Sequence, residues 1–235
     1  MTKLLVSVRD GDEATAALLG KAHLIDVKEP QQGSLGAASK EAWQQVANRL
    51  PESTPMSVAG GELQSFDWES ISDLPQRVSL LKVGLSHSKH VDWPLQLATL
   101  SRRLPDHCQL VTVIYADGHA CMAPGAATVL EVAQQLSSPV LLIDTFHKDG
   151  RNVFDHVDVS QIAEWFEVAR QQQMMTVLAG SIHSRILVDA WETNPDVIAV
   201  RGAVCRRDRN GVVDQQKVEQ FLQAMHSVSE RQNAS

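Results

Sequence analysis

The sequence has few cysteines, and none in a spacing typical of a bonded pair or a metal site. The three cysteines, Cys108, Cys121 and Cys205, are odd in number, and no two of them form a Cys-x-x-Cys motif. A small secreted domain held together by disulfides usually has an even and denser set. We therefore expect unpaired thiols in a reducing compartment, and we favour the cytoplasm.

Long apolar runs and an excess of positive charge are both missing. No apolar stretch approaches the roughly 20 residues of a membrane span, and the apolar start turns polar again at Arg9, too soon for a signal-peptide core. Acidic residues outnumber basic ones by 28 to 21, for a formal net charge of -7, whereas a broad nucleic-acid surface is strongly basic. These absences predict a chain that is not inserted in a membrane, not exported and not bound to nucleic acid.

Several motifs of metal and cofactor chemistry are also absent. His87 and His90 have no glutamate between them and do not match the zinc-binding motif His-Glu-x-x-His. The turn that follows the first apolar run lacks the Gly-x-Gly-x-x-Gly pattern of dinucleotide sites, and there is no Walker loop or nucleophile elbow. The sequence therefore gives little support to a metal site.

What the sequence does contain is a series of eight short apolar runs. Most are apolar almost throughout rather than alternating with polar residues, which is typical of parallel strands that are covered on both faces or closed into a barrel. The predicted strands are residues 4–8, 24–27, 56–59, 78–83, 109–115, 140–144, 175–179 and 197–200.

Segments with apolar residues at helical spacing separate these runs. They are residues 13–20, 40–50, 94–104, 124–136, 159–173, 184–191 and 214–226, and the interval 67–76 has room only for a short helix. Repeated strand-helix alternation without a linker predicts the α/β class and a single (β/α)8 TIM barrel over residues 1–226. An open doubly wound sheet is the alternative. The polar segment 227–235 is expected to be a disordered tail, and assembly of barrels through their outer helices would allow a homo-oligomer.

Three of the predicted strands end on or near a lysine: Lys28, Lys82 and Lys148. Lysine fits poorly on a buried strand surface, so three such positions point to chemistry rather than packing. The strand ends of a barrel converge on one mouth, where a crowded or desolvated ammonium can lose its proton and attack a carbonyl. Asp144 lies four positions before Lys148, and Gly84, after Lys82, would let the backbone come close to a substrate.

Further polar and glycine residues stand at the ends of the predicted strands. Gly180 with Ser181, and Arg201 with Gly202, follow strands seven and eight, where barrels commonly hold a phosphate. Ser7, Arg9 and Asp26 come from strands one and two, and we predict that they contact the substrate or its phosphate. The structural alternative is that these charges pair with one another, as Asp144 and Lys148 could, and that the glycines only form tight turns.

These motifs carry a resemblance to a known family. Residues 4–10 (LLVSVRD), 25–30 (IDVKEP), 33–37 (GSLGA), 82–84 (KVG) and 144–150 (DTFHKDG) together resemble the (5-formylfuran-3-yl)methyl phosphate synthase family. The likeness runs from the N-terminus to the strand-eight region. One departure lies at residues 20–23 (GKAH), where the family pattern would have Gly-Gly-Ala-Asp, at the opposite end of the barrel from the mouth.

The resemblance implies a lyase of one-carbon cofactor biosynthesis. Such an enzyme condenses two molecules of glyceraldehyde 3-phosphate, a small phosphorylated aldehyde, into 4-(hydroxymethyl)-2-furaldehyde phosphate, a precursor of methanofuran-type carriers. It works through a lysine imine, or Schiff base, without metal or cofactor. Carried over by motif, Lys28 forms the imine, Lys82 accepts a proton, and Asp144 and Lys148 are further polar participants. We further hypothesise that Lys82 and Lys148 lower the pKa of Lys28 by like-charge repulsion.

Two alternatives stay open at this point. The barrel could bind a phosphorylated ligand without turnover, in which case the lysines only neutralise charge. It could instead be a phosphosugar isomerase or a conventional aldolase, with Asp10 and Asp144 acting as an acid-base pair.

Overall fold

The computed structural model describes residues 2–233, and it confirms the predicted (β/α)8 barrel. Eight parallel strands pair in sequence order, and β8 pairs with β1 to close the ring. The strands are β1 (Lys3–Val8), β2 (Leu24–Val27), β3 (Met56–Glu62), β4 (Val78–Gly84), β5 (Gln109–Tyr115), β6 (Val140–Asp144), β7 (Met175–Leu178) and β8 (Val197–Val200).

The described residues form seven α-helices outside this ring. The helices are α1 (Gly11–Leu19), α2 (Lys40–Arg49), α3 (Trp93–Arg103), α4 (Ala126–Gln135), α5 (Val159–Gln171), α6 (Leu187–Glu192) and α7 (Gln215–Asn233). The short interval between β3 and β4 holds a 3-10 helix, Trp68–Asp73. Further 3-10 turns are Pro30–Gln32, Leu63–Ser65, Val153–Asp155, Ser184–Ile186 and Gly202–Val204.

Side chains of each strand alternate between the barrel interior and the helices. On β6, Leu142 belongs to a buried cluster inside the ring, whereas Leu141 and Ile143 belong to the larger core between the ring and the helices. The same alternation points Asp144, the last residue of β6, into the barrel. Its register partner on β5 is Tyr115.

Polar caps fix where some helices begin. Asp10 accepts the backbone N–H groups of Asp12 and Glu13 at the start of α1, and Ser39 accepts the N–H of Ala42 in α2. Such caps satisfy the orphan donors of a first turn. Asp10 is thus used in holding α1, which leaves it less suited to the acid-base role considered above.

The C-terminal helix is longer than the sequence predicted. Helix α7 continues through Ser227 to Asn233, so the expectation of a disordered tail is wrong for these residues, and Ala234 and Ser235 lie outside the described residues. Val228 packs against the core and continues the apolar spacing of Phe221 and Met225, which explains the extension. No helix among residues 2–233 has the length and apolar character needed to cross a membrane.

Candidate active site

A cavity of about 520 Å³ opens where the strands end. Its wall contains eight of the predicted site residues: Ser7, Lys28, Lys82, Asp144, Gly180, Ser181, Arg201 and Gly202. The other three, Arg9, Asp26 and Lys148, lie behind that wall and contact residues that line it or that support it. Closure of the ring therefore brings the predicted residues from strands β1, β2, β4, β6, β7 and β8 to one mouth.

Lys28 is a buried amine at this mouth, with 9% of its surface exposed. Its Nζ donates a hydrogen bond to the carbonyl oxygen of Ser34 at 3.2 Å. Burial lowers the pKa of Lys28 to about 7; the carboxylates of Asp144 and Asp26 act in the opposite direction, and the ammonium groups of Lys148 and Lys82 lower it further. The amine is therefore substantially neutral near pH 7.

The main cause of the lowered Lys28 pKa differs from the like-charge repulsion that we hypothesised from the sequence. Like-charge repulsion from Lys148 and Lys82 does lower the pKa of Lys28, as predicted, but desolvation is the largest cause. Desolvation dominates because the Lys82 and Lys148 charges are each opposed by a neighbouring carboxylate. Burial removes hydration from the charged form of an amine whatever charges surround it.

Lys82 and Asp26 form a buried ion pair. Lys82 Nζ lies 2.5 Å from Oδ1 of Asp26, whose side chain is completely buried. The hydroxyl of Ser57 donates to the same oxygen at 2.8 Å, and that of Ser7 donates to Oδ2 at 3.0 Å. Ser7 on β1 and Ser57 on β3 are the register partners of Asp26 on β2, so the pairing of the strands places both hydroxyls beside the carboxylate. Lys82 also lines the cavity.

Asp144 and Lys148 form a second pair on the other side of the mouth. Lys148 Nζ donates to Oδ1 of Asp144 at 2.7 Å and to the hydroxyl of Thr145 at 2.9 Å. Burial on its own would raise the pKa of Asp144, but the ammonium groups of Lys148 and Lys28 outweigh it and lower that pKa. The structure thus brings Asp144 and Lys148 together as the structural alternative predicted, beside a cavity that Asp144 itself lines.

The segment that leads from Lys28 to α2, residues 29–39, crosses the mouth, and we call it loop 2. The hydroxyl of Ser34 lies within hydrogen-bond distance of Asp144 Oδ2 (3.0 Å) and of the carbonyl of Thr145 (2.7 Å). The carbonyl of Leu35 accepts the N–H of Gly61, and the Leu35 side chain joins the apolar cluster inside the ring. Loop 2 therefore covers Lys28 and is held to strands on both sides of it.

Arg9 and Arg201 meet at one carboxylate, that of Glu13 in α1. Arg9 donates twice to Oε1 of Glu13, and Arg201 donates to both carboxylate oxygens at 2.7 and 3.2 Å. The remaining Arg201 donors bind the carbonyls of Ser7, Arg209 and Gly211. Because a guanidinium has five N–H groups, Arg201 has none to spare for a phosphate while these contacts hold.

The turn after β7 packs closely against the segment after β6. Gly180 and Ser181 both have positive φ angles, 96° and 56°. A Cβ on Gly180 would fall 2.8 Å from Cβ of Val153, so a side chain has no room there. The N–H of Val153 donates to the carbonyl of Gly180, which fixes the turn against the segment after β6. Gly180 and Ser181 both line the cavity.

A third pair of hydrogen-bonded side chains lies across strands β3 and β5. The hydroxyl of Tyr115 donates to Oε1 of Glu62 at 2.6 Å, and Glu62 Oε2 accepts the N–H of Ser86. Burial and the negative charge of Glu62 raise the pKa of Tyr115 well above its usual range. A Cβ on Gly84 would collide with the Tyr115 hydroxyl and the Glu62 carboxylate, so Gly84 makes room for this pair rather than for a substrate.

Sequence reasoning missed several residues of the mouth. Ser34, Ser57 and Glu13 hold the charged groups in place, and His183, Arg207, Asp208 and Arg209 line the cavity without having been predicted. Only the length of the segment after β8, with its arginines, could have signalled the last three. Within the described residues, no group of three or more histidines, cysteines and carboxylates lies close enough together to hold a metal ion.

The fold and the site define a (β/α)8-barrel enzyme whose mouth combines a buried amine with two lysine–carboxylate pairs. A family model for 4-HFC-P synthase matches residues 4–222, so the chain belongs to the 4-HFC-P synthase family. It is 30% identical to the (5-formylfuran-3-yl)methyl phosphate synthase of Methanopyrus kandleri over 95% of this chain and 98% of that one. To the enzyme of the same name from Methanococcus aeolicus it is 31% identical, over 93% and 97%.

Among solved structures, the fold resembles phosphoribosyl anthranilate isomerase from Thermotoga maritima. The TM-score is 0.66 at 14% identity, over 97% of this chain and 100% of that one. At this identity the likeness concerns the barrel fold alone.

Proposed function

We propose that this enzyme condenses two molecules of glyceraldehyde 3-phosphate into 4-(hydroxymethyl)-2-furaldehyde phosphate, with Lys28 as the imine-forming residue. The observation that supports this most is the pKa of about 7 of a buried amine at a cavity wall. Only a neutral amine attacks an aldehyde carbon, and an ordinary lysine is almost wholly protonated at neutral pH. The reaction joins the carbon atoms of both trioses and releases one inorganic phosphate and two waters.

The groups around Lys28 suit the proton transfers that follow. Imine formation expels the aldehyde oxygen as water, which requires a proton donor near the carbinolamine. We propose Lys82, paired with Asp26, as the group that exchanges protons with the substrate carbon. The Asp144–Lys148 pair lies on the other side of Lys28 and supplies a second carboxylate and ammonium for the elimination steps. Loop 2, by covering Lys28, excludes water that would otherwise hydrolyse the imine.

Borohydride trapping tests the assignment of Lys28. Incubation of the wild-type protein with glyceraldehyde 3-phosphate and borohydride should reduce the imine to a stable secondary amine. Mass spectrometry should then locate an irreversible mass increase on the peptide that contains Lys28. Lys28→Met should give no adduct and no turnover, whereas Lys89→Met, which changes an exposed lysine, should behave as wild type.

The product assay separates the proposed reaction from its alternatives. Appearance of a furan absorbance together with one equivalent of inorganic phosphate supports the condensation. Ligand binding without an adduct would instead favour a non-catalytic binding barrel, and an adduct without phosphate release would favour an aldolase or isomerase. Near-wild-type turnover by Lys28→Met would show that the site assignment is wrong even if the reaction is right.

A further inference from the structure

Arg209 is a cation on the cavity wall that the structure leaves largely without partners. It lies in the segment between β8 and α7 and is half-buried. Among residues 2–232, the one hydrogen bond of its side chain joins Nη2 to the carbonyl oxygen of Gly33 at 3.0 Å, and no carboxylate lies within ion-pair distance of the guanidinium. Most of its five N–H donors are therefore available to a ligand.

The other fixed cations around the mouth already have a carboxylate partner. Each donates to a carboxylate of the protein: Arg9 and Arg201 to Glu13, Lys82 to Asp26, and Lys148 to Asp144. The cavity wall also contains Arg207, which is exposed to water, and Asp208, whose Oδ1 accepts the N–H of Asn210. Arg209 is also a half-buried guanidinium at this mouth. Within the described part of the chain, it has no direct contact with a carboxylate.

We infer that Arg209, and not Arg201, is the side-chain ligand of a substrate phosphate in this cavity. This inference rests on the proposed function in one respect, that the substrate is a triose phosphate. A planar guanidinium matches phosphate oxygens with two parallel N–H donors, and partial burial strengthens such a pair. Arg209 also lies beside Gly202, where a Cβ would fall 3.5 Å from Cβ of Arg209, so the side chain stands next to the predicted phosphate loop.

The contact with Gly33 links this phosphate ligand to the reactive amine. Gly33 precedes Ser34 in loop 2, and the carbonyl of Ser34 accepts the hydrogen bond of Lys28. One Arg209 donor therefore holds loop 2 over Lys28, and Arg209 itself lines the cavity. A phosphate bound at Arg209 would place the rest of a three-carbon substrate on the side of the cavity that Lys28 lines.

The test uses sn-glycerol 3-phosphate, which carries the phosphate of a triose phosphate but has no carbonyl to form an imine. Calorimetric binding to the wild-type protein should weaken by about 10- to 100-fold in Arg209→Gln, since hydrogen bonds to charged groups contribute about 1.5–3 kcal/mol. Arg209→Lys should restore part of the affinity. The matched control is Arg206→Gln, which removes the same charge from the same segment at an exposed arginine that pairs with Asp214 outside the cavity.

Three results would overturn the inference. They are no binding of glycerol 3-phosphate to the wild type, unchanged binding in Arg209→Gln, or an equal loss in Arg206→Gln. The experiment also distinguishes this inference from the proposed function, because glycerol 3-phosphate cannot react with Lys28. Loss of binding in Arg209→Gln, combined with no borohydride adduct in the wild type, would support the phosphate ligand and refute the imine reaction.

Discussion

The hydroxyl of Ser34 lies 3.0 Å from Oδ2 of Asp144, although the two residues are 110 positions apart in the chain. Ser34 is in loop 2 and Asp144 ends β6, so this contact fixes the loop across the mouth of the barrel. The carbonyl oxygen of the same residue, Ser34, accepts the hydrogen bond of Lys28. The position of loop 2 and the environment of the amine therefore depend on each other.

Ser34→Ala should loosen loop 2. The hydroxyl is fully buried and bonds to a charged group, so its loss should lower the free energy of unfolding by about 1.5–3 kcal/mol. Turnover should fall about tenfold or more because Lys28 loses its fixed covering. Urea titration and product formation measure the two effects, with Ser65→Ala, at an exposed serine, as the control. Unchanged stability and turnover in Ser34→Ala would show that loop 2 is held by other contacts.

The rate of adduct formation should depend on pH through Lys28. With a pKa of about 7, the neutral fraction of the amine rises about tenfold per pH unit below pH 7 and then levels off. Borohydride trapping at saturating aldehyde, measured between pH 5.5 and 9 on the Lys28 peptide, should follow this curve with its midpoint at about 7. A rate that still rises about tenfold per pH unit up to pH 9 would mean that the amine keeps a pKa near its ordinary value of 10.5 and is not desolvated in the working enzyme.

The lowered pKa of Lys28 also makes the free energy of unfolding depend on pH. Lys28 has a pKa of about 7 in the folded protein and 10.5 ordinarily, so between these values the unfolded chain holds a proton that the folded chain lacks. Its contribution to the free energy of unfolding therefore rises with pH across this window, by up to about 1.4 kcal/mol per pH unit. Below pH 7 the cost of burying the charged amine is fully present.

Lys28→Met checks this sign, because methionine fills similar space without a charge. The variant should be more stable than the wild type below pH 7, and the difference should shrink as the pH rises towards 9. Urea midpoints across this range provide the measurement. A difference that grows with pH would contradict the depressed pKa.

The Asp26–Lys82 pair should show strong coupling. Lys82→Met leaves the buried Asp26 carboxylate with only its two serine partners, and removal of one member of a buried pair costs about 3–5 kcal/mol. Asp26→Asn should be similarly destabilising, whereas the double variant should lose much less than the sum of the two. Equilibrium unfolding of the four proteins gives the coupling energy, and additive losses would mean that the pair does not interact in solution.

Gly84→Ala should disrupt the Glu62–Tyr115 pair. The added methyl group would collide with the Tyr115 hydroxyl and the Glu62 carboxylate, and overpacking of this kind costs about 1–3 kcal/mol. Gly125→Ala is the matched control, because a Cβ there meets nothing within 4 Å. Thermal unfolding of both variants measures the effect. Equal stability of the two would show that the strand shifts to accept the methyl group.

The sequence predicted the architecture well because its signals are local. Near-continuous apolar runs such as residues 140–144 and the helical spacing of residues 159–173 need only short stretches of chain to be recognised. Barrel closure then dictates that residues at strand ends, such as Lys28 and Asp144, meet at one mouth. The convergence of the lysines could therefore be predicted without any structure.

The contacts that set the chemistry could not be predicted in the same way. Ser34 reaches Asp144 and Glu13 reaches Arg201 across sequence separations of 110 and 188 residues, and nothing in the local sequence marks these partners. Whether Arg201 or Arg209 has free donors depends on how the segment after β8 folds back over the ring. The end of α7 was misjudged because the polar composition after Ser227 concealed one apolar contact, that of Val228.

The Glu13–Arg201 contact should affect local unfolding where β8 pairs with β1. Arg201 follows the last strand, while Ser7 and Glu13 belong to the first strand and the first helix, so this one side chain joins the beginning of the barrel to its end. Chain ends usually fray first, yet here the amides of β1 and β8 should exchange their hydrogens only when the whole ring comes apart. We therefore expect the β8–β1 pairing to resist local unfolding as long as the Arg201 contacts with Ser7 and Glu13 hold.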